Sequence, residues 1–69
     1  MRSLSGKGLA RLVESQGCQL LRIRGSHHVY GKPGSVVRLS IPIHGNTALK
    51  AGFLKHLLKM AGLEEEDIR

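Results

Sequence analysis

The sequence predicts an α+β fold in which two helices cover one face of a three-stranded antiparallel sheet. Three observations indicate this architecture. Apolar residues recur at helical spacing near both ends of the chain, short β-favouring runs lie between them, and glycine-containing turns separate the runs. A sheet this small needs a helical cover to be stable. We therefore expect the order helix, strand, strand, strand, helix, with the other face of the sheet open to solvent.

The first helix should run from about residue 6 to residue 16. Ser5 is the expected N-cap, and Gly17 follows the last turn as a C′ glycine. Leu9, Leu12 and Val13 provide its apolar face.

The second helix is predicted from a broad apolar face and ends at Gly62. Asn46 or Thr47 could serve as its N-cap, but Gly52 makes a later start near Lys50 an equal alternative. The acidic residues 64–67 should form either a final turn or a frayed tail. The apolar face consists of Leu49, Phe53, Leu54, Leu57, Leu58 and Ala61.

Three strands are expected between the helices. The first covers residues 18–24 and the second about 27–31, and a Pro-Gly turn over 32–35 leads into the third. Pro42 cannot donate to a ladder, so it should end the third strand or lie at a sheet edge. Alternation places Val37, Leu39 and Ile41 on one face of that strand and Val36, Arg38 and Ser40 on the other.

Length and cysteine content bound the class of protein. A chain of 69 residues is one domain, 1–69, close to the lower limit for an unaided core, so a partner protein is expected. The single cysteine, Cys18, forms no internal disulfide and is expected to be a buried small hydrophobe in a reducing cytoplasm. No apolar run approaches the length of a membrane span, and the N-terminal residues lack the apolar stretch of a signal peptide, so we expect a soluble protein that is not exported.

Charge is divided unevenly along the chain. Residues 1–62 contain ten Lys and Arg against Glu14 alone, whereas residues 63–69 contain one Arg against four acids, so +9 and −3 give the net charge of +6. A body this basic favours polyanions through phosphate neutralisation. Charge alone also fits a solvated surface that binds nothing specific.

The most distinctive stretch is a polar turn that leads into two histidines, Arg24-Gly25-Ser26-His27-His28-Val29-Tyr30. An imidazole can take a proton from a ribose 2′-hydroxyl or deliver one to the leaving oxygen, since histidine in peptides titrates at about pH 6.5. Neighbouring strand residues point to opposite faces, so only one of the two histidines should serve a site. The pattern does not decide which one, or whether it catalyses or only binds. Flanking cations indicate a phosphate-bearing partner, which we expect to be RNA.

Other chemistry is less well supported. The four histidines and one cysteine lack zinc-site spacing, and no nucleotide-binding glycine motif is present. His44 lies in a loop after Pro42 and could bind RNA, but a capping or solvated role is favoured, and His56 should lie on the surface. Tyr30 and Phe53 are the only aromatic residues, too few for stacking on successive bases.

The sequence resembles HicA-type toxins over nearly its whole length. The similarity lies in a Gly-Ser-His turn followed some fifteen residues later by Pro-x-His. It implies a fold like that of a double-stranded RNA-binding domain, helix-strand-strand-strand-helix. The family usually has an aromatic where this chain has Cys18 and often an acid where it has Gly8. The matching segments are Ser5-Gly6-Lys7, Gly17, Arg24 to Tyr30, Ile41-Pro42-Ile43-His44-Gly45-Asn46, Leu49-Lys50-Ala51-Gly52-Phe53-Leu54 and Ala61-Gly62-Leu63.

This resemblance implies a ribonuclease that cleaves messenger RNA without a cofactor and is held inactive by a HicB-type antitoxin. The histidine after Gly-Ser is catalytic in such toxins, which corresponds to His27 here. A non-catalytic RNA-binding module on the same fold is the alternative, and a small interaction subunit is a third possibility. The residues expected to contact RNA are Lys7, Arg22, Arg24, Gly25, Ser26, His28 and Lys32.

Overall fold

The computed structural model describes residues 3–68 and confirms the predicted order of elements. The elements are helix α1 (Gly6–Ser15), strands β1 (Gln19–Arg24), β2 (His27–Gly31) and β3 (Arg38–Pro42), helix α2 (Ala51–Met60) and a C-terminal 3-10 helix (Glu65–Ile68). The strands form one antiparallel sheet in the order β1-β2-β3. Over residues 3–68, no helix is long and apolar enough to cross a membrane.

Both helices pack on the same face of the sheet, mainly over β3. Leu39 and Ile41 point from β3 into the core, and both helices contact this strand. Arg38 and Ser40 alternate with them and are exposed, as the pattern of the strand predicts. The opposite face of the sheet is therefore open. The core consists of Leu9, Ala10, Val13, Tyr30, Leu39, Ile41, Leu54, Leu57, Leu58 and Ile68.

Two strands begin later than their composition predicts. β1 starts at Gln19 because the N–H of Cys18 donates to the Val13 carbonyl at 3.0 Å and closes the end of α1. Cys18 is half-buried against the core and not fully enclosed. β3 starts at Arg38, since the N–H of Val37 donates to the Ser35 hydroxyl at 3.1 Å within the turn. Pro42 ends β3 as predicted.

Helix α1 confirms the predicted cap. The Ser5 hydroxyl accepts from the Gly8 N–H at 3.1 Å, and the helix ends at Ser15, one residue before the predicted end.

Helix α2 has the later of its two predicted starts. Lys50 is the N-cap residue and makes no side-chain capping bond. The assignment of Phe53 to the core face is wrong, since this side chain is 40% exposed. The buried stripe is centred on Leu54, Leu57 and Leu58, and Phe53 lies at its margin in the first turn.

The acidic C-terminal segment is folded, which decides between a final turn and a frayed tail. The side chain of Asp67 accepts from the Glu64 N–H at 2.7 Å and caps the 3-10 helix. Ile68 is 6% exposed and closes the core. Lys55 of α2 forms a salt bridge with Glu65 at 3.4 Å between Nζ and Oε1. This salt bridge compensates one exposed cation of α2, on the side of the protein away from the open face of the sheet.

A hydrogen bond between two side chains fixes α1 on the sheet. The Tyr30 hydroxyl donates to Glu14 Oε2 at 2.9 Å. Burial of the ring, the hydrogen bond to Glu14 and the charge of that carboxylate together raise the pKa of Tyr30 to about 12. The neutral phenol is thus favoured in the folded state.

The raised pKa of Tyr30, caused first by burial and then by Glu14, predicts a loss of stability at alkaline pH. Tyrosine in the unfolded chain titrates at about pH 10, so the stabilisation is complete below that pH and is lost as the pH rises through the folded-state pKa. We expect urea unfolding to show a loss of up to about 2 kcal/mol between about pH 9 and about pH 11.5 that Tyr30→Phe does not show. An equal loss in both proteins would assign it to other groups.

Candidate functional site

A basic groove runs across the open face of the sheet. Arg22 and Arg24 of β1, His27 of β2 and Arg38 of β3 line it, together with Val29 and Ser40, and its volume is ≈ 450 Å³. The strand register explains the grouping, because Arg24 pairs with His27 and Val29 lies between Arg22 and Ser40. We call this surface the basic groove.

A β-bulge in β1 brings the two arginines to this face. Leu20 pairs with Tyr30, which points into the core, and the register shifts at Leu21 before Arg22 pairs with Val29. Side chains alternate along a strand, so without the extra residue Leu20 and Arg22 would share a face. The bulge directs Leu20 to the helix side and Arg22 and Arg24 to the groove.

The two adjacent histidines lie on opposite faces. His27 is exposed in the groove, whereas His28 is half-buried on the helix side between Ile23 and Ile41. The predicted orientation of the two side chains to opposite faces of the sheet is confirmed. His27 is the one on the basic face.

A tight turn presents His27 at the end of β2. Gly25 has a φ of 58° at the first position of a two-residue loop, which is the pattern of a type II′ hairpin turn. The Ser26 carbonyl accepts from the Ile43 N–H at 2.8 Å. His44 Nε2 lies 3.4 Å from the Ser26 hydroxyl. The turn is therefore held by the segment that follows β3, and we call Ser26, His27 and His44 the histidine corner.

Helix α1 supports this corner from the covered side. A Cβ on Gly6 would overlap the carbonyl oxygen of Pro42, so the first turn of α1 touches the end of β3 with no room for a side chain. Pro42 pairs with His27. Lys7 follows Gly6 and is exposed, which places it at the same end of the sheet as the histidine corner.

Lys32 lies at the other end of β2, beside Gly17. It is five residues from His27, a separation of about 16 Å at the rise of a strand. Of the predicted RNA contacts, only Arg22 and Arg24 line the groove. Gly25 and Ser26 lie in the turn beside it, whereas Lys32 and His28 lie away from it.

The groove retains its positive charge. Among residues 3–68, the one salt bridge is that of Lys55, and no carboxylate lies within salt-bridge distance of Arg22, Arg24 or Arg38. The guanidinium of Arg38 donates from Nη1 to the carbonyls of Ser35 and Val37, each at 3.0 Å, which holds it against the segment before β3, at the end of the groove away from His27.

Metal binding and base stacking have little support in the described part of the chain. Between residues 3 and 68, no three His, Cys, Asp or Glu side chains converge to hold a metal ion. Tyr30 is 3% exposed and Phe53 lies on α2, so neither aromatic ring is in the groove.

Sequence reasoning missed one member of the site, Arg38, and left the role of a second, His44, open. Arg38 was placed on the outer face of β3 but was not connected with His27, because the order of the strands was not known. His44 is exposed, as one of its predicted alternatives has it, and its Nε2 lies 3.4 Å from the Ser26 hydroxyl, eighteen positions away in the sequence. The Pro-x-His spacing marks this residue in the sequence but does not indicate its contact with Ser26.

Comparison with known families identifies the chain. The sequence model described as "HicA toxin of bacterial toxin-antitoxin" matches residues 6–63. The chain belongs to the HicA toxin family. The matched segment of this HicA toxin contains every residue of the basic groove and the histidine corner. Family membership makes it the toxin component of a bacterial toxin–antitoxin pair. No curated protein sequence matches the toxin significantly.

Proposed function

We propose that this HicA toxin is a metal-independent endoribonuclease that cleaves messenger RNA in the cytoplasm, with His27 as general acid or base. The observation that supports this most strongly is the position of His27, exposed in a groove with Arg22, Arg24 and Arg38. An imidazole can move a proton there while the guanidinium groups neutralise phosphate charge.

The proposed reaction is a transesterification within the RNA strand. The ribose 2′-oxygen forms a bond to the adjacent phosphorus, and the bond from phosphorus to the 5′-oxygen breaks. The 2′-hydroxyl loses a proton and the leaving 5′-oxygen gains one. His27 carries one of these two protons, and the arginines stabilise the additional negative charge on the phosphoryl oxygens in the transition state.

The other predicted contacts have different parts in the proposal. Gly25 leaves the backbone of the turn unshielded, since nothing lies within 4 Å of a Cβ built there, and Ser26 offers a hydroxyl beside His27. Lys7 extends the basic surface at the same end. Lys32 and His28 would contact only RNA that continues along the sheet or round its edge.

An assay in chelator separates the enzyme from its alternative, a non-catalytic RNA-binding module, for which the basic groove alone is sufficient. Purified toxin is incubated with RNA in excess EDTA and the products are resolved by size. If the toxin is a metal-independent enzyme, RNA fragments accumulate in EDTA and are absent with His27→Ala. Retention of intact RNA by both proteins would support the module.

The groove arginines predict a change in the salt dependence of RNA binding. Each phosphate contact to single-stranded RNA contributes about 0.7 to the slope of log K against log salt. We expect Arg22→Ala and Arg24→Ala each to reduce the slope by about that amount, measured by fluorescence anisotropy on His27→Ala protein. Lys55→Ala, on the far side of α2, is the matched control and should leave the slope unchanged. Equal slopes in all variants would indicate that RNA binds outside the basic groove.

We further propose that a HicB-type antitoxin inhibits the toxin by covering the histidine corner with an acidic, partly apolar surface. Occlusion is the simplest inhibition, and the uncompensated charge of the groove would speed association with such a partner. A structure of the complex should show His27 inaccessible. A complex that leaves His27 open to RNA would indicate distortion of the site instead.

A further inference from the structure

Strand β1 presents an unusual surface for a sheet of this size. It is an edge strand, and all six of its residues are exposed. Three of them are large aliphatic residues, with Leu20 44%, Leu21 48% and Ile23 55% exposed. An exposed apolar edge strand is open to pairing with another chain unless something covers it.

The packing of the helices explains why the aliphatic side chains of β1 are exposed. Both helices contact β3, and the core side chains of the sheet come from β2 and β3. Leu20 and Ile23 face the helix side through their pairing with Tyr30 and His28, but they lie beyond the helices. β1 thus offers an unpaired backbone edge, an aliphatic side and a cationic side.

The two sides define the chemistry of the strand that would fit. Leu20 and Ile23 require apolar neighbours on the helix side, while Arg22 and Arg24 require anionic neighbours on the groove side. Side chains of an added strand alternate between these sides with a period of two. The complementary sequence alternates aliphatic and acidic residues.

A second copy of this chain fits less well. It would bring together two chains of net charge +6 and place the Arg22 and Arg24 side chains of both on one face of the joined sheet. Like charges on adjacent strands are destabilising.

We propose that β1 is a docking edge for an extended strand of a partner protein in which acidic side chains alternate with aliphatic ones. The added strand pairs with the backbone of β1, covers Leu20 and Ile23 and neutralises Arg22 and Arg24. Strand addition of this kind takes affinity from main-chain bonds and specificity from alternate side chains. Competition with RNA for the two arginines follows if the proposed nuclease function also holds.

A pair of short peptides tests the docking edge on the full chain. Acetylated and amidated peptides of three Glu-Val repeats or three Lys-Val repeats are added at millimolar concentration. Amide hydrogen exchange is followed residue by residue by NMR. We expect the Glu-Val peptide to slow exchange along β1 and the Lys-Val peptide to leave it unchanged. Absence of protection at β1, or equal protection by both peptides, overturns the proposal.

Two lysine substitutions provide the matched control. Ile23→Lys and Val36→Lys each replace an exposed aliphatic with the same cation, and Val36 is 93% exposed in the segment between the Pro-Gly turn and β3. We expect Ile23→Lys to weaken Glu-Val binding by about tenfold despite its added positive charge, and Val36→Lys to preserve it. Equal binding by the two variants contradicts the apolar contact. Circular dichroism confirms that both fold.

Two further results are informative. One distinguishes an acidic strand from a second copy of the chain as the occupant of β1, and the other distinguishes the docking proposal from the nuclease proposal. Protection of β1 that rises with toxin concentration in the absence of peptide would identify a second copy as the occupant and overturn the acidic strand. His27→Ala should bind the Glu-Val peptide as the parent protein does. Failure of RNA cleavage therefore leaves the docking edge intact, and failure of peptide binding leaves the nuclease intact.

Discussion

Replacing His27 by alanine is expected to lower the rate of RNA cleavage by about 10² to 10⁴-fold, the usual contribution of one positioned acid or base. The groove would keep Arg22, Arg24 and Arg38, so RNA affinity should change little. The result is a fall in the maximal single-turnover rate at nearly constant half-saturating toxin concentration. Single-turnover cleavage of a labelled RNA by excess toxin measures both quantities.

Two other histidines serve as controls for this prediction. His56→Ala should retain the parent rate, because His56 is exposed on α2, away from the groove. His44→Ala should give an intermediate rate, since it removes the group 3.4 Å from the Ser26 hydroxyl but leaves the His27 imidazole. Loss of activity in His56→Ala, or parent-like activity in His27→Ala, would contradict the assignment of catalysis to His27.

Gly6→Ala is expected to be the most destabilising single-methyl change in the chain. The added Cβ overlaps the Pro42 carbonyl oxygen, so α1 or the end of β3 must shift. Forcing extra volume into a packed contact costs about 1 to 3 kcal/mol and sometimes more. The gain in helix propensity from glycine to alanine, about 1 kcal/mol at most, opposes this only in part. Urea unfolding measures the net loss.

Gly52→Ala is the matched substitution with the opposite sign. Gly52 lies in the first turn of α2, and nothing is within 4 Å of a Cβ built there. The same chemical change should therefore stabilise the protein by up to about 1 kcal/mol. If both variants were stabilised, the close approach of Gly6 to the Pro42 carbonyl would not limit the size of the side chain at position 6. Because Pro42 pairs with His27, Gly6→Ala should also lower the cleavage rate of the protein that remains folded.

The order of the elements was predictable because local patterns determine it. Helical periodicity, the Ser5 cap and the alternation over residues 38–41 each depend on neighbouring residues, and the structure confirms them, whereas the predicted core position of Val37 is wrong because this residue precedes β3 and is 38% exposed. The opposite orientation of His27 and His28 follows from strand geometry alone. None of these features depends on which helices and strands pack against each other.

The composition of the groove was not predictable in the same way, because it depends on pairing between strands. The bulge at Leu21 determines which face of the sheet carries Arg22 and Arg24, and no local sequence pattern indicates this bulge. Arg38 joins His27 only through the register of β3 beside β2. The exposure of Phe53 likewise depends on where α2 rests, which hydrophobicity alone does not fix.

The chemical ends of the cleaved RNA test the proposed mechanism most directly. RNA is digested by the toxin in excess EDTA, and the fragments are weighed by mass spectrometry. Attack by the 2′-oxygen predicts a 2′,3′-cyclic phosphate, or the 3′-phosphate formed from it, on one fragment and a 5′-hydroxyl on the other. A 3′-hydroxyl and a 5′-phosphate would contradict the mechanism, because they require attack on phosphorus by water with departure of the 3′-oxygen.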